Sequence, residues 1–324
     1  MRAHLQKYLR QGLLAVLVCA TSTCTWAQRD DFSFGVIVQG TTHDEVLLRE
    51  AIIDTDADNL AFLVINGFKR PNEPCTDTLY EQRKALLDGA KNGLILSLAA
   101  SDWVVCSGAQ SHASALAKLS QVRELFFAGD LSLGASKLPL VRQSSTVKFR
   151  GYAENARWTV GDVLFATVNL PVGNNHYVVE AGRNSEFEDR QVATREWLKR
   201  IFTFAAQRKL TGVVLFTDGN PMASPPPRSL FGSNRAIDGY REVRKQIRML
   251  SENYRGTVLL VHGEPSPESG KPAAPVIAWQ KNLGTLAAYR SNGDWVKINV
   301  EPAATVVFKV ASEVAPEKEK RAAK

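Results

Sequence analysis

Histidine and cysteine are scarce in this chain, which contains five histidines and four cysteines among 324 residues. The sequence has no Walker loop, no GxSxG nucleophile elbow and no paired CxxC motif. These absences remove the usual support for a P-loop nucleotide site, an elbow-type serine hydrolase and a cysteine-ligated metal. A hydrolytic site with two metal ions needs several clustered carboxylates and imidazoles, and the few histidines supply little of that set.

Long apolar runs are also missing, and the run near the N-terminus, residues 13–20, is too short to span a bilayer. Three basic residues precede it, and Ala27 offers a small residue at a cleavage position. We therefore expect residues 1–27 to be a signal peptide, and the mature protein to be periplasmic or secreted without a transmembrane segment. A buried N-terminal helix is the alternative interpretation.

Strong charge of either sign is absent as well. The formal net charge is +7, and removal of residues 1–27 takes away three basic residues and no acidic one. The mature chain then keeps a weak positive charge, and the sequence shows no clustered basic face. A nucleic-acid partner therefore receives little support.

The cysteines divide between the two parts of the chain. Cys19 and Cys24 lie in the predicted signal peptide, so the mature protein keeps Cys75 and Cys106. Two cysteines in an oxidising compartment favour one disulfide, between the loops after the second and third strands. Closing a loop of this length contributes about 3–4 kcal/mol in the chain-entropy description. Two buried thiols are the alternative.

Hydrophobic periodicity indicates an α/β fold. The first part of the mature chain alternates strand-like apolar runs with segments of helical spacing, which is typical of a parallel sheet. The predicted strands are residues 32–38, 59–65 and 94–98, and the predicted helices are residues 45–54, 78–91 and 113–127.

The second half of the chain has a different pattern. Gly161-Asp162 indicates a hairpin between two apolar runs, and residues 186–209 have the spacing of a long amphipathic helix. We expect one domain, residues 28–312, made of two packed sheets with helices outside, and a disordered charged tail at residues 313–324. The other predicted elements are strands at 156–160, 163–169, 212–217 and 257–261, a helix at 240–254, and three strands that alternate like antiparallel ones at 283–289, 295–300 and 305–310.

Polar side chains follow several of the strand-like runs. In open α/β folds the ligand site lies on the loops beyond the carboxyl ends of the strands. Structural explanations remain open for Asp102 as a cap, His176 as part of a solvated turn, and His262 as a hydrogen-bonded residue at a strand end. The candidate pocket residues are Gln39, His43, Gly67, Ser101, Asp102, Asn174, Asn175, His176, Asp218, Asn220, His262 and Glu264.

Six stretches share their pattern with one family. They are FGVIVQGTTHDE, the PCTD loop at 74–77, LSLAASDWVVC, AENARW at 153–158, VGNNH at 172–176 and VLLVHGEPSP at 258–267. On these stretches the chain resembles the calcineurin-like metallophosphoesterases, and within them a secreted bacterial branch. The resemblance implies a four-layer α/β/β/α sandwich, in which two mixed sheets face each other and helices flank them.

The metal-binding blocks of that family are degenerate in this sequence. The resemblance places Gln39 where an Asp is expected, Asn66-Gly67 where Gly-Asp is expected, and Ser101 where a metal-bridging Asn is expected. Ser266 replaces the second His of the last block. Because divalent ions in hydrolytic sites are held mainly by carboxylates and imidazoles, these replacements predict that no metal is bound.

The favoured function is an exported phosphoesterase-fold protein that has lost its di-metal centre, a pseudoenzyme that acts as a non-catalytic binding or scaffold protein. No catalytic residue or cofactor is assigned, and the expected ligand is a phosphate ester or a component of the cell envelope. A third class, a metal-independent hydrolase, would use two carboxylates such as Asp102 and Asp218. The main alternative is an active hydrolase of phosphate mono- or diesters, with manganese, zinc or iron held by His43, Asp102, Asp218, His262 and Glu264.

Overall fold

Two sheets contain the main strands of the part of the chain that the structure describes. The computed structural model describes residues 31–38, 45–105, 112–178, 184–224, 237–263, 274–288 and 295–311. The predicted signal peptide and C-terminal tail lie outside these residues, and so do Gln39, His43, Cys106, Glu264 and Ser266.

The five-stranded sheet contains the predicted parallel βαβαβ unit. Its strands are β1 (Phe32–Val38), β2 (Leu63–Asn66), β3 (Leu94–Ser97), β11 (Val296–Val300) and β12 (Phe308–Val310). The order is β12-β11-β1-β2-β3, with β1, β2 and β3 parallel and β11 antiparallel to β1. The helices α1 (Glu45–Asp56), α2 (Asp77–Asp88) and α3 (His112–Phe126) accompany this sheet.

The seven-stranded sheet follows the order β4-β5-β6-β7-β8-β10-β9. Strands β6, β7, β8 and β10 are parallel, while β5 is antiparallel to β6 through the predicted hairpin. The strands are β4 (Val141–Arg142), β5 (Ala156–Val160), β6 (Val163–Thr167), β7 (Gly212–Thr217), β8 (Thr257–His262), β9 (Ala278–Gln280) and β10 (Leu283–Ala287), and the helices are α4 (Ser185–Gln207) and α5 (Arg241–Asn253).

Aromatic rings fill the space between the two sheets. Phe34 stacks on Phe62 with centroids 5.1 Å apart, and Phe62 meets Phe165 of the other sheet edge to face at 4.8 Å. Trp158 and Phe216 stack at 5.9 Å in the same cluster. Successive strand residues point to opposite faces, so both faces of a sheet need a cover when all its residues are apolar.

The helices supply the outer covers. Ile37 and Ile65 point away from the central aromatic cluster and pack with Leu48 and Ile52 of α1. On the other sheet, Trp197 of α4 packs in the outer cluster with the neighbouring strands and α5. The predicted four-layer α/β/β/α sandwich is therefore confirmed.

The structure differs from the predicted strands in three respects. β2 begins at Leu63 rather than at residue 59, because a backbone bond from Leu60 N to Asp58 O keeps the preceding residues in a turn. β10 is parallel to β8, whereas the alternation had suggested an antiparallel strand. The short strands β4 and β9 were not predicted, since two or three residues give too little periodicity.

Two further observations bear on the expectation of export. Among the described helices, none combines the length and the apolar character that a bilayer crossing requires. Cys75 lies in the loop between β2 and α2. Cys106 lies outside the described residues, so the pairing of these two cysteines stays a prediction.

Candidate functional site

The tips of the two sheets meet at Asn66. This residue ends β2 and is 5% exposed. Its Nδ2 donates to the carbonyl oxygen of Thr217 at 3.4 Å, and Gly263 N donates to the same oxygen at 3.2 Å. A side chain of the first sheet thus reaches the carboxyl ends of β7 and β8 in the second sheet.

The space between these tips is filled. A Cβ added to Gly263 would lie 2.2 Å from Asn66 Oδ1. The backbone of Gly263 is therefore in close contact with the side-chain amide of Asn66. Among the described residues, the tips of β2, β7 and β8 are therefore in close contact. The remaining space has no room for a water molecule, and its polar lining includes Asn66, Ser97, Thr217 and His262.

Asp102 anchors the loop that follows β2 to the loop that follows β3. Its Oδ1 accepts hydrogen bonds from Phe68 N at 2.9 Å and Lys69 N at 3.2 Å, and its Oδ2 accepts from Ala99 N at 2.9 Å. The side chain is 0% exposed, and this burial raises the pKa of Asp102 to about 7. Asp102 thus has a structural role, but the amides that it binds belong to Phe68, Lys69 and Ala99, which precede it, and not to a following segment.

Asp218 has the same role for a different pair of loops. Its Oδ2 accepts hydrogen bonds from Ala100 N at 2.8 Å and Val172 N at 2.9 Å. Burial raises the pKa of Asp218 to about 7, and the nearby charge of Asp218 adds to the rise in the pKa of Asp102. The two carboxylates thus hold one turn, at Ala99 and Ala100, from two sides.

A buried lysine completes this loop cluster, and no sequence signal pointed to it. Lys69 is 0% exposed, and its Nζ donates to the carbonyl oxygens of Arg70, Glu73 and Val105 at 2.8, 2.9 and 2.9 Å. Burial lowers the pKa of Lys69, while Asp102 and Glu73 oppose that shift. The ammonium group therefore joins the loop after β2 to the loop after β3.

The VGNNH stretch forms a left-handed turn. Gly173, Asn174, Asn175 and His176 have φ angles of 75°, 57°, 57° and 52°. Left-handed backbone costs roughly 1–2 kcal/mol per non-glycine residue. Gly, Asn and His adopt it more readily than other residues, so the GNNH composition is a usable sequence signal for this turn.

Side chains of α4 hold the left-handed turn. Arg190, which is 1% exposed, donates from Nη2 to Asn175 O at 2.9 Å and from Nε to Glu186 Oε1 at 2.6 Å. His176 Nδ1 lies 3.1 Å from Glu186 Oε2, and the His176 ring meets Trp103 edge to face at 4.8 Å. Burial raises the pKa of Glu186, but Arg190 and His176 outweigh it and lower that pKa to about 2. His176 is thus a buried structural residue rather than part of a solvated turn.

The segment before α5 lies against the other side of the same turn. Asn174 Oδ1 accepts from Gly239 N at 2.8 Å, and Asn174 Nδ2 donates to Ile237 O at 2.8 Å. Asn175 Nδ2 donates to Gly239 O at 3.0 Å. Both asparagine side chains therefore bind backbone groups of the chain itself.

The AENARW stretch is also structural. Glu154 is 1% exposed and accepts two hydrogen bonds from Arg123, from Nε at 2.8 Å and from Nη2 at 2.6 Å. Asn169 Nδ2 donates to the same carboxylate at 2.9 Å. The Arg123–Glu154 ion pair joins α3 to the start of β5. The bond from Asn169 joins the same carboxylate to the loop after β6.

The remaining candidates lie at separate places around the strand tips. His262 ends β8 and is 3% exposed, and burial lowers its pKa to about 4, so its imidazole is neutral at pH 7. Asn220 Oδ1 accepts from Met222 N at 2.9 Å within a turn. Gly67 has a φ of 76°, and a Cβ there would lie 3.0 Å from Ala99 Cβ and 3.4 Å from Ser101 Oγ.

The described residues do not fit the di-metal centre of the phosphoesterase fold. No group of three or more His, Cys, Asp or Glu side chains among them is arranged to hold a metal ion. Asp102 and Asp218 direct their bonded oxygens to backbone amides, and Asn66 and Ser101 are neutral donors. A cation would have to displace internal hydrogen bonds to reach Asp102, whereas Asp218 uses only Oδ2 for its two bonds.

A likeness to a solved structure supports the fold. The chain is similar to PhoD, alkaline phosphatase D, an enzyme of the metallophosphoesterase fold, with a TM-score of 0.51 and 11% sequence identity. The match covers 84% of this chain and 64% of the PhoD chain, so this chain spans less than two thirds of that protein's length. No family profile and no curated protein matches the chain. At this identity the likeness shows the fold alone.

Proposed function

We propose that this chain is an exported protein of the phosphoesterase fold that lacks a working di-metal centre and serves as a non-catalytic binding or scaffold protein. One observation carries the proposal. The carboxylates of Asp102 and Asp218 accept hydrogen bonds from five backbone N–H groups of the surrounding loops. Carboxylates that hold loops together in this way are directed at the protein and not at a cation.

The close contact of the sheet tips supports the same proposal. A di-metal site needs space for two cations about 3.5–4 Å apart and for the water that they activate. The space beside Asn66 and His262 cannot hold one water molecule. Opening it would break the hydrogen bond from Asn66 to Thr217 O and separate Asn66 from Gly263.

The left-handed turn favours a binding role. Strained backbone persists only where the surroundings over-determine it, and such segments cluster at functional sites. Arg190, Glu186 and Gly239 over-determine this turn from two sides, while Gly173 is exposed at its surface. We therefore propose the exposed Gly173 of this turn as a contact for a binding partner.

An active phosphoesterase with an atypical metal site is the second candidate. One observation favours it, because His262 stands at a strand tip as a neutral imidazole, the form in which histidine binds metals. His43 and Glu264, which lie outside the described residues, would supply further ligands.

Metal content and turnover separate the two candidates. Mature protein is loaded with manganese, zinc or iron, analysed for bound metal, and assayed with a phosphate monoester and a phosphate diester beside the His262→Ala variant. The proposal expects substoichiometric metal and no turnover above that of the variant. Stoichiometric metal, with turnover that His262→Ala abolishes, would replace the proposal by the second candidate.

The export step has its own test. Protein recovered from the periplasm or the medium should begin at or near Gln28 when its N-terminus is sequenced. Recovery of the chain with Met1 intact in the soluble cytoplasm would reject export.

A further inference from the structure

A groove outside the strand tips brings together basic side chains that the sequence did not show as a cluster. It has a volume of 430 Å³ and lies between the edge strand β4, its neighbour β5 and the C-terminal half of α4. Arg157 reaches it from β5, and Lys199, Arg200 and Phe204 reach it from α4. Residues 157 and 199–204 are far apart in sequence, so only the fold forms this surface.

Negative charge in the groove is low. Glu196 is the one carboxylate among its described lining residues, beside Arg142, Arg157, Lys199 and Arg200. Arg142 is committed to the protein, because it is 5% exposed and donates to the carbonyl oxygens of Gly129 and Ala153. The ion pairs found within the described part of the chain involve other cations, so the remaining three have no acidic partner there.

Aromatic rings, rather than acids, contact the arginines in and beside the groove. The Arg157 guanidinium carbon lies 3.9 Å from the centroid of the Phe204 ring, and that of Arg208 lies 5.6 Å from the same centroid. Arg200 lies 5.8 Å over Phe149 and donates to Thr146 Oγ1. A guanidinium stacked on a ring keeps its N–H donors available in its own plane, where they match the oxygens of a phosphate.

We propose that this groove binds the phosphate group of a small ligand. Its volume is within the range of about 300–1,000 Å³ that small-molecule sites occupy. Three cations lack acidic partners here, so a dianionic phosphate fits the groove better than a ligand with a single carboxylate group does. The planar fork of Arg157, positioned by Phe204, provides the orientation, and Lys199 and Arg200 provide further positive charge.

Calorimetric titration with inorganic phosphate tests the proposal on the full mature chain. Wild-type protein should bind phosphate saturably, and added NaCl should weaken the binding. Arg157→Gln and Lys199→Gln should each weaken it about tenfold, the loss expected for one charge-assisted hydrogen bond. Arg157→Lys should recover only part of the affinity, because the charge remains without the fork.

Lys91→Gln is the matched control. Lys91 is an exposed cation in the turn before β3 of the other sheet, and its substitution changes the net charge equally. It should leave phosphate affinity unchanged. Lys199 is exposed, so its variant should fold even if Arg157→Gln loosens the packing on Phe204. Equal weakening by Lys91→Gln, or no saturable phosphate binding by wild type, would overturn the proposal.

Vesicles distinguish the two sources of phosphate. Wild-type protein is sedimented with phosphatidylglycerol vesicles and with phosphatidylcholine vesicles at the same salt concentration. Binding to the anionic vesicles that Lys199→Gln and free phosphate both reduce supports a lipid headgroup as the ligand. Saturable binding of inorganic phosphate without vesicle binding supports a soluble phosphate ester.

Discussion

Asp102 and Asp218 accept hydrogen bonds from consecutive backbone amides, those of Ala99 at 2.9 Å and Ala100 at 2.8 Å. Asp102 also binds the loop after β2, and Asp218 also binds Val172 N, next to the left-handed turn. Burial raises the pKa of each carboxyl group to about 7. The two acids therefore connect loops of both sheets through one short turn, and the backbone donors offset only part of their desolvation cost.

Replacing the two acids by asparagine should have unequal effects. Asp102 uses both oxygens, so Asp102→Asn places an amide NH₂ against a backbone donor and should cost about 2–3 kcal/mol of unfolding free energy. Asp218 uses one oxygen for both donors, so Asp218→Asn can keep both bonds and should cost about 1 kcal/mol. Urea unfolding at pH 8, where both carboxyls are ionised in wild type, measures the difference. Equal losses would contradict the assignment of oxygens.

The Glu186→Gln variant should lose much of the support of the left-handed turn. The substitution leaves Arg190 and His176 without their buried carboxylate, which should cost about 3 kcal/mol. Glu188→Gln is the control, because Glu188 is an exposed acid of the same helix turn and should change stability by less than about 0.5 kcal/mol. Comparable losses in the two variants would show that the buried pair contributes nothing specific.

The Glu186 contribution should depend on pH in a defined direction. Its folded pKa of about 2 lies below the unfolded value of about 4.3, so the folded state favours the ionised form. The stabilisation is fully present above the unfolded pKa and is lost as the pH falls through 4.3 towards about 2. The gap in unfolding free energy between wild type and Glu186→Gln should therefore shrink over that window. A gap that stays constant would contradict the prediction.

Gly67→Asp should destabilise the protein rather than restore a metal ligand. The residue has a φ of 76°, and a Cβ would lie 3.0 Å from Ala99 Cβ, so a loss of about 2 kcal/mol is expected. Gly151→Asp adds the same charge at a glycine with nothing within 4 Å and should be nearly neutral. Thermal melting with and without manganese is the measurement. A melting temperature of Gly67→Asp that rises with manganese would show that the position can bind metal after all.

The disulfide prediction can be tested by thiol titration under denaturing conditions. Mature protein should show no reactive thiol, and reduction should lower its stability by about 3–4 kcal/mol. The Cys75→Ser/Cys106→Ser double variant should be insensitive to reductant. Two reactive thiols in wild type would leave Cys106 unpaired and reject the bridge.

Local patterns in the sequence were sufficient to predict the architecture. The alternation of apolar runs and helical segments predicted β1, β7 and the β5–β6 hairpin with bounds close to the observed ones, because strand and helix periodicity are local properties. The GNNH composition contained the residues that a left-handed turn requires. Short edge strands such as β9 left no such pattern.

The roles of the individual polar residues were decided only by the tertiary structure. Asp218 binds an amide 118 positions away, and Asp102 binds one 34 positions away, so no sequence window contains both partners. The same holds for Arg157 and Lys199, which form one basic groove only after β5 and α4 pack together. The sequence by itself determined the sheets and helices, because these depend on local periodicity and propensity. The burial of Lys69, the closure of the strand tips and the use of the carboxylates as loop anchors depend on distant segments meeting, and only the folded chain fixes which segments those are.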